Sequence, residues 1–199
     1  MITPPTNMVK PKINSMNDFI HPAISVVIPA YNEENGINAV IYDIEQALSS
    51  LENDFEIIVV DDGSSDNTTV EVEATNARLI RHTYNKGYGA ALKTGVRHAN
   101  YSKLLIIDAD GTYPVAAIEN LLQHNSQADM VVAARVGDNV HIPLIRVPAK
   151  WVLNRLANYL TRRDIPDLNS GLRLFEKASL VKLIHLLPDG FSFTTTITI

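Results

Sequence analysis

The sequence predicts an α/β protein in which a mostly parallel central sheet is flanked by helices. Short segments that are almost entirely apolar alternate with longer segments of helical periodicity from residue 24 to about residue 135. Strands that are apolar throughout are buried on both faces, and strands separated by helices form parallel βαβ units. The chain has 199 residues, of which 46% are hydrophobic, so it is long enough to bury one complete core.

Each element follows from hydrophobic periodicity and from the polar residues at its ends. Residues 24–29 are predicted to form a strand, and residues 33–51 a helix whose apolar side chains recur on one face. That face comprises Ile37, Val40, Ile41, Ile44 and Leu48. The alternation then predicts strands at residues 55–60, 77–82, 103–107 and 129–134, a short helix from residue 66, and helices at residues 87–99 and 115–124.

Beyond the last of these strands the alternation stops. Residues 146–160 look helical after Pro148, residues 169–175 form either a short strand or a loop, and residues 177–186 form a further helix. The chain ends in a run of β-branched residues at 193–199 without a closing turn or cap. We interpret this run as an interrupted element, and we expect the natural domain to be longer than the sequence given.

The composition of the sequence argues against several classes of protein. The net charge of −5 argues against general nucleic-acid binding, and the lack of cysteine excludes disulfides and thiolate metal sites and fits a reducing cytoplasm. No stretch of the sequence reaches the roughly 18 apolar residues that crossing a bilayer requires. Residues 1–22 contain four prolines and no apolar segment like that of a signal peptide. We interpret them as a loose N-terminal arm that precedes one domain over residues 23–199.

Two aspartates follow the predicted strand at 103–107 and stand one residue apart. Residues i and i+2 of an extended chain point to the same side, so Asp108 and Asp110 aim at one point beyond the strand, where open α/β sheets bind ligands. Two carboxylates this close repel each other unless a cation lies between them. The pair therefore predicts a Mg²⁺ or Mn²⁺ site that carries a diphosphate. The alternative is a strand followed by an ordinary Asp–Gly turn.

Three other loops follow strand ends and are expected to open onto the same edge of the sheet. Tyr31 offers an aromatic face for a base, and Asp61 or Asp62 can accept a hydrogen bond from a base N–H or a ribose hydroxyl. Glu33 either contacts the ligand or stabilises the first turn of a helix. Lys86 lies in a glycine-containing loop that lets a ligand approach the backbone. This loop has neither Walker nor G-x-G-x-x-G spacing, which argues against a dinucleotide site.

Four segments resemble, in order and spacing, the signature series of family 2 glycosyltransferases. They are SVVIPAYNEE at 25–34, IIVVDDGSSD at 57–66, NKGYGAA at 85–91 and DAD at 108–110. A fifth segment, DLNSGLRLF at 167–175, is similar to the D-x-x-S-G-F-R motif of one branch of that family. This branch contains the dolichol-phosphate mannosyltransferases and the polyprenyl-phosphate glycosyltransferases. The resemblance extends over residues 24–199.

The resemblance implies a GT-A nucleotide-sugar-binding fold and metal-dependent, inverting transfer of a sugar from a UDP- or GDP-sugar. It makes Asp110 the main metal ligand, Arg135 a donor contact and Asp167 an essential carboxylate near the acceptor, so Asp110 and Asp167 are the candidate catalytic residues. Many relatives have Gln as an extra metal ligand where this sequence has Thr112. The same likeness predicts a nucleotide site lined by Pro29, Tyr31, Glu33, Val60, Asp62, Asp108, Ala109 and Asp110.

The acceptor can be a phosphate or a hydroxyl, and the two need different side chains. A phosphate monoester is mostly dianionic at pH 7 and needs only cations that position it, whereas a sugar hydroxyl needs a carboxylate base. Asp167 offers such a base. The cations that can hold a lipid phosphate are Arg146, Lys150, Arg155 and Arg173.

Residues 148–163 favour the lipid phosphate. They mix Trp151 and several leucines with basic residues, as in a helix that lies at a membrane interface, although an ordinary packed helix with a basic face is the alternative. Together with the resemblance to the polyprenyl-phosphate branch, this segment leads us to predict a polyprenyl-phosphate acceptor and a peripheral location at the cytoplasmic face of the membrane, in cell-envelope biosynthesis. The alternatives are transfer to a sugar hydroxyl of a glycan or polysaccharide, a sugar-1-phosphate nucleotidyltransferase, and a catalytically silent nucleotide-sugar-binding module.

Overall fold

A computed structural model describes parts of the chain that contain six strands and six helices with defined bounds, together with loops. These parts are residues 22–52, 54–114, 116–124, 128–134, 155, 158–159, 162, 165 and 167–199. The strands are β1 (Ile24–Ala30), β2 (Phe55–Asp61), β3 (Arg78–Arg81), β4 (Lys103–Ile106), β5 (Met130–Val132) and β6 (Arg173–Glu176). The helices are α1 (Ile37–Ser50), α2 (Thr68–Glu73), α3 (Tyr88–His98), α4 (Ala116–Gln123), α5 (Lys177–Leu183) and α6 (Ser192–Thr198).

The strands form one sheet in the order β3-β2-β1-β4-β6-β5. Four neighbours, β3, β2, β1 and β4, run parallel, with Ile24 opposite both Phe55 and Lys103. Strand β6 lies antiparallel between β4 and β5. The predicted α/β fold with a mostly parallel sheet is thus confirmed, and the segment left open between strand and loop contributes β6.

The sheet has a hydrophobic core on each face, because successive side chains of a strand point to opposite sides. Val26 and Ile28 of β1 pack with the apolar face of α1 and with α4, whereas Val27 packs on the other side against α3. The five buried residues of α1 are those that the periodicity predicted. No helix in the described parts of the chain has both the length and the apolar character needed to cross a membrane.

The helix predicted from residue 33 begins later, at Ile37. Residues 33–36 form a turn in which the Glu33 carbonyl accepts hydrogen bonds from Gly36 and Ile37, and Asn32 has a φ of +57°. Glu33 therefore does not stand in the first turn of a helix, and the prediction that its carboxylate stabilises that turn is wrong. The backbone before α1 is instead fixed by hydrogen bonds that its N–H groups donate to side chains following β2.

The β-branched run at the end of the chain is helical in the structure. Although β-branched residues have a low helix propensity, tertiary contacts outweigh such preferences. Phe193 is fully buried in the core that also contains α3, and Thr198 donates to the Thr194 carbonyl within the helix. Several predictions fall outside the described residues. They concern Arg135, Arg146, most of residues 148–163, and the N-terminal arm, of which only Pro22 is described.

Candidate active site

The carboxyl ends of the four parallel strands bring the predicted loops to one edge of the sheet. The loop after β1 is held to the loop after β2 by its own backbone amides. The Glu33 N–H donates to Thr68 Oγ1 at 2.8 Å, and the Glu34 N–H donates to Asp66 Oδ2 at 3.1 Å. The polar residues after β2 therefore shape the first loop as well as beginning α2.

Asp108 and Asp110 follow β4 at this edge. Asp108 is half-buried, and its Oδ1 accepts a hydrogen bond from the Tyr88 hydroxyl at 2.8 Å. Asp110 is exposed, and its Oδ1 accepts hydrogen bonds from the backbone N–H and the hydroxyl of Thr112. Thr112 thus holds the side chain of Asp110, at the position where relatives often have glutamine.

The charges of these aspartates act on Glu33 in the neighbouring loop. Burial raises the pKa of Glu33 above its ordinary value of 4.5, and the negative charges of Asp110, Asp66 and Asp108 raise it further. Carboxylates that repel one another in this way attract a hard divalent cation, so the donor set fits Mg²⁺ or Mn²⁺. Within the described residues no three acidic or histidine side chains form a metal cage. Two carboxylates completed by phosphate and water oxygens are a usual coordination for Mg²⁺.

Asp61 and Asp62 are buried, and their carboxylates bind the chain itself. Asp61 accepts hydrogen bonds from the Ser64 N–H at 2.8 Å and the Thr69 hydroxyl at 2.7 Å. Asp62 accepts from the backbone N–H groups of Lys86 at 2.9 Å and Gly87 at 2.7 Å. The bonds of Asp61 order the segment after β2, and those of Asp62 order the loop before α3, so both aspartates shape the site. Their predicted contact with the nucleotide stays a prediction.

A buried histidine that the sequence did not single out supports Asp62. His82 Nδ1 lies 2.6 Å from Asp62 Oδ1, and His82 Nε2 lies 2.9 Å from the Thr94 hydroxyl. The histidine therefore ties the loop after β2 to α3. Its position directly after a strand, among polar loop residues, was the only signal in the sequence, and a lone histidine does not distinguish this role from many others.

The remaining predicted nucleotide contacts differ in what they can offer. Tyr31 is 47% exposed, and the exposed Lys86 lies with Nζ 5.6 Å from the centre of the Tyr84 ring. Both side chains are accessible to a ligand. The side chains of Pro29, Val60 and Ala109 are buried, so a ligand at these positions would meet backbone.

The structure places Arg173 in the interior. Its guanidinium is fully buried and donates to the carbonyls of Ser170 at 2.7 Å and Leu168 at 2.9 Å. Burial lowers the pKa of Arg173, and the nearby charge of Asp167 opposes that effect. An arginine that binds an acceptor phosphate has to be accessible to it, so the burial of Arg173 argues against its predicted role as a phosphate-binding cation. Asp167 is itself only 3% exposed and accepts a hydrogen bond from the Asn169 N–H.

A cavity of about 370 Å³ opens beside Asp108. Tyr88 and Phe191 form one wall, with ring centroids 5.5 Å apart and an angle of 18° between their planes. The other described residues that line it are uncharged and polar, namely Asn169, Ser192, Thr194 and Thr195. Phe191 and the lining residues of α6 were not predicted, because the cavity exists only once α6 packs against α3. Burial raises the pKa of Tyr88, as do the charge and hydrogen bond of Asp108, so the phenol stays protonated and donating.

Comparison with known proteins identifies relatives of this arrangement. The family model described as "Glycosyl transferase family 2" matches residues 25–184. Glucosyl-3-phosphoglycerate synthase from Mycobacterium tuberculosis, solved with Mn²⁺, UDP and phosphoglyceric acid, has a TM-score of 0.70 and 24% identity, covering 88% of this chain and 62% of that one. The same protein with phosphoglyceric acid gives a TM-score of 0.68 and 25% identity, covering 88% and 63%.

A second enzyme has the same fold. Mannosyl-3-phosphoglycerate synthase from Rubrobacter xylanophilus gives a TM-score of 0.64 and 19% identity, covering 78% of this chain and 54% of that one. The chain thus spans less than two thirds of the length of these proteins.

Proposed function

The chain belongs to glycosyl transferase family 2, and on that premise we propose that it transfers a sugar from a nucleoside diphosphate sugar to a polyprenyl phosphate. The observation that carries the proposal is the meeting of acidic and basic groups at one edge of the sheet. Asp108, Asp110 and Glu33 supply negative charge there, and Lys86 supplies an exposed cation. A diphosphate bridged by a metal ion matches this combination of charges.

Asp108 and Asp110 would hold a Mg²⁺ or Mn²⁺ ion between the protein and the diphosphate. When bound, such an ion neutralises the negative charge that develops on a departing nucleoside diphosphate. Lys86 adds a second positive charge near the phosphates. Tyr31 offers an exposed ring on which the base can stack.

The cavity beside Asp108 suits the sugar of the donor. Apart from the carboxylate of Asp108, its described polar groups are hydroxyls and an amide, which can both donate and accept hydrogen bonds, as the hydroxyls of a sugar require. None of the described lining residues is cationic. The cavity therefore fits an uncharged sugar better than it fits a phosphate.

The motif at 167–175 supports the acceptor proposal. So does the segment 146–163, which contains basic residues and no acidic residue. Arg146, Lys150 and Arg155 are the proposed phosphate-binding cations, in place of the buried Arg173. Such residues would act at the cytoplasmic face of the membrane, where the lipid headgroups and the nucleotide sugar are both accessible.

A small phosphorylated hydroxy acid is the second candidate acceptor. The likeness to a synthase solved with phosphoglyceric acid, at 25% identity over 88% of this chain, favours it. With this acceptor the nucleophile is a hydroxyl, and the site would need a carboxylate base. Asp167 is the proposed base in that case.

Ligand-dependent thermal stability tests the donor half of the proposal. We expect UDP or GDP and their sugars to raise the melting temperature only when Mn²⁺ or Mg²⁺ is present. The free energy of unfolding should then increase by about 2.7 kcal/mol at a ligand concentration of 100 Kd. Asp110→Asn should remove the metal-dependent part, whereas the exposed Asp43→Asn on α1 should leave it unchanged. Equal stabilisation in excess EDTA would contradict a metal bridge.

Transfer of a radiolabelled sugar tests the acceptor half. The protein is incubated with the stabilising nucleotide sugar and either a polyprenyl phosphate or 3-phosphoglycerate. Label in the lipid fraction supports the proposal, and label on phosphoglycerate supports the second candidate. Metal-dependent binding without transfer to any acceptor would favour the catalytically silent module.

A further inference from the structure

The side chain of Asp108 is held from two sides by residues outside the D-x-D motif. On one side the Tyr88 hydroxyl donates to Oδ1 at 2.8 Å. On the other side the carboxylate lies directly against the backbone of Gly171, in the loop that leads into β6. Two segments distant in sequence therefore determine where this carboxylate points.

Gly171 leaves the space that the carboxylate occupies. A Cβ atom built on Gly171 would lie 1.7 Å from Oδ2 and 2.1 Å from Cγ of Asp108, which is far inside van der Waals contact. The glycines with positive φ in the described chain are Gly63, Gly87 and Gly111, so Gly171 has a backbone conformation that other residues adopt. Its lack of a side chain is thus needed for space and not for backbone freedom.

Tyr88 is itself fixed, so its hydroxyl is a rigid donor. Its ring stacks on Phe191, and the N–H of the preceding Gly87 is bound by the buried carboxylate of Asp62. The Gly171 N–H in turn donates to the hydroxyl of the buried Tyr113. Each side of the cradle around Asp108 is therefore anchored in the core.

We propose that Tyr88 and Gly171 are positioning residues that hold the Asp108 carboxylate ready to bind the metal ion of the donor complex. The proposal rests on the proposed function, because it takes Asp108 as a metal ligand. Partners that orient a metal ligand in this way typically contribute 10- to 100-fold to metal affinity. Pre-orientation lowers the cost of binding, since the carboxylate does not have to be ordered when the ion arrives.

The test compares Mn²⁺ affinity, measured by electron paramagnetic resonance with UDP or GDP present, between matched variants. Tyr88→Phe removes the hydroxyl and keeps the stacked ring, and Tyr42→Phe on the exposed face of α1 is its control. Gly171→Ala fills the space beside Asp108. Gly190→Ala is its control, because a Cβ there meets no atom within 4 Å.

We expect Tyr88→Phe and Gly171→Ala to weaken Mn²⁺ binding by about 10- to 100-fold and both controls to bind like the wild type. A purely structural role for Tyr88 would lower the unfolding midpoint in EDTA and leave the Mn²⁺ affinity of the folded protein unchanged, and this result would overturn the proposal. If Gly171→Ala fails to fold, Tyr88→Phe decides. A wild type that binds no Mn²⁺ with either nucleotide overturns the proposed function as well, whereas normal binding by both the wild type and Tyr88→Phe overturns the positioning role alone.

Discussion

Arg173 Nη1 donates a hydrogen bond of 2.7 Å to Oγ1 of Thr198, which joins strand β6 to the last helix. The same guanidinium binds the carbonyls of Leu168 and Ser170 in the loop before β6. A single buried arginine thus fixes the loop that contains Asp167 and the helix that lines one side of the cavity. Within the motif at 167–175, Arg173 therefore supports the shape of the site from inside the core.

Replacing Arg173 should destabilise the protein strongly. Arg173→Met leaves the two loop carbonyls buried without their donor, at about 1–3 kcal/mol each. We expect the free energy of unfolding, measured in urea, to fall by about 2–6 kcal/mol. Arg97→Met, at an exposed position near the end of α3, should cost at most about 0.5 kcal/mol. Similar small losses for both variants would refute the structural role of Arg173.

Glu33 should make stability depend on pH in a defined direction. Its pKa is raised in the folded protein, so its ionisation disfavours folding once the pH exceeds the unfolded value near 4.5. Glu33→Gln should therefore be more stable than the wild type at pH 7 in EDTA, and the difference should vanish below about pH 4. Urea unfolding at both pH values measures this effect.

A saturating Mn²⁺–nucleotide complex provides a control for the same variant. The bound cation offsets the repulsion among Glu33, Asp108 and Asp110, so the advantage of Glu33→Gln at pH 7 should shrink or reverse when the complex is added. If Glu33→Gln is less stable than the wild type in EDTA at pH 7, the assignment of carboxylate repulsion to this loop is incorrect.

The variant Asp167→Asn should show whether Asp167 is a general base or a positioning residue. Because Asp167 is almost fully buried beside Arg173, we expect the variant to lower stability and to leave the acid limb of the rate profile near pH 6, where an acceptor phosphate ionises. Loss of a general base would instead reduce kcat by about 10²–10⁴-fold and remove a limb that follows a carboxylate. Rates of transfer to polyprenyl phosphate between pH 4.5 and 8 distinguish the two, with Asp43→Asn as the control.

Membrane binding should depend on the basic residues between Arg146 and Arg163. We expect the protein to bind liposomes that contain anionic lipid, and salt should weaken this binding. Replacing Lys150, Arg155 and Arg162 by Gln should lower the partition coefficient by about 100-fold, at roughly 1 kcal/mol per charge. The outcome that contradicts the prediction is a wild type indifferent to anionic lipid.

A charge-matched variant controls for the loss of three cations. Arg78, Arg97 and Lys182 are exposed on other elements, and their joint replacement by Gln gives the same net charge. This variant should bind liposomes nearly as well as the wild type. Equal loss in both triple variants would mean that net charge, and not the segment 146–163, governs the attraction.

Local sequence patterns were enough to predict most of the helices and strands and the acidic pair of the candidate site. The period-3.6 spacing from Ile37 to Leu48 depends only on helix geometry, and the structure buries those residues. Asp108 and Asp110 were identifiable because they follow an apolar strand, and the carboxyl ends of parallel strands share one edge. The start of α1 was misplaced because the backbone N–H groups of residues 32–34 donate to side chains that follow β2, and periodicity does not reveal such contacts.

Only the tertiary structure decided which polar residues face a ligand and which support the core. By itself the sequence determined the α/β class, the strand-end loops and the acidic pair, because these depend on residue spacing within single elements. It gave no means of placing Arg173 inside, of making residues 192–198 helical, or of finding that Gly171 leaves room for Asp108. Those outcomes depend on packing between segments that lie roughly 25 to 100 residues apart in the sequence, where burial and close contact outweigh local propensity.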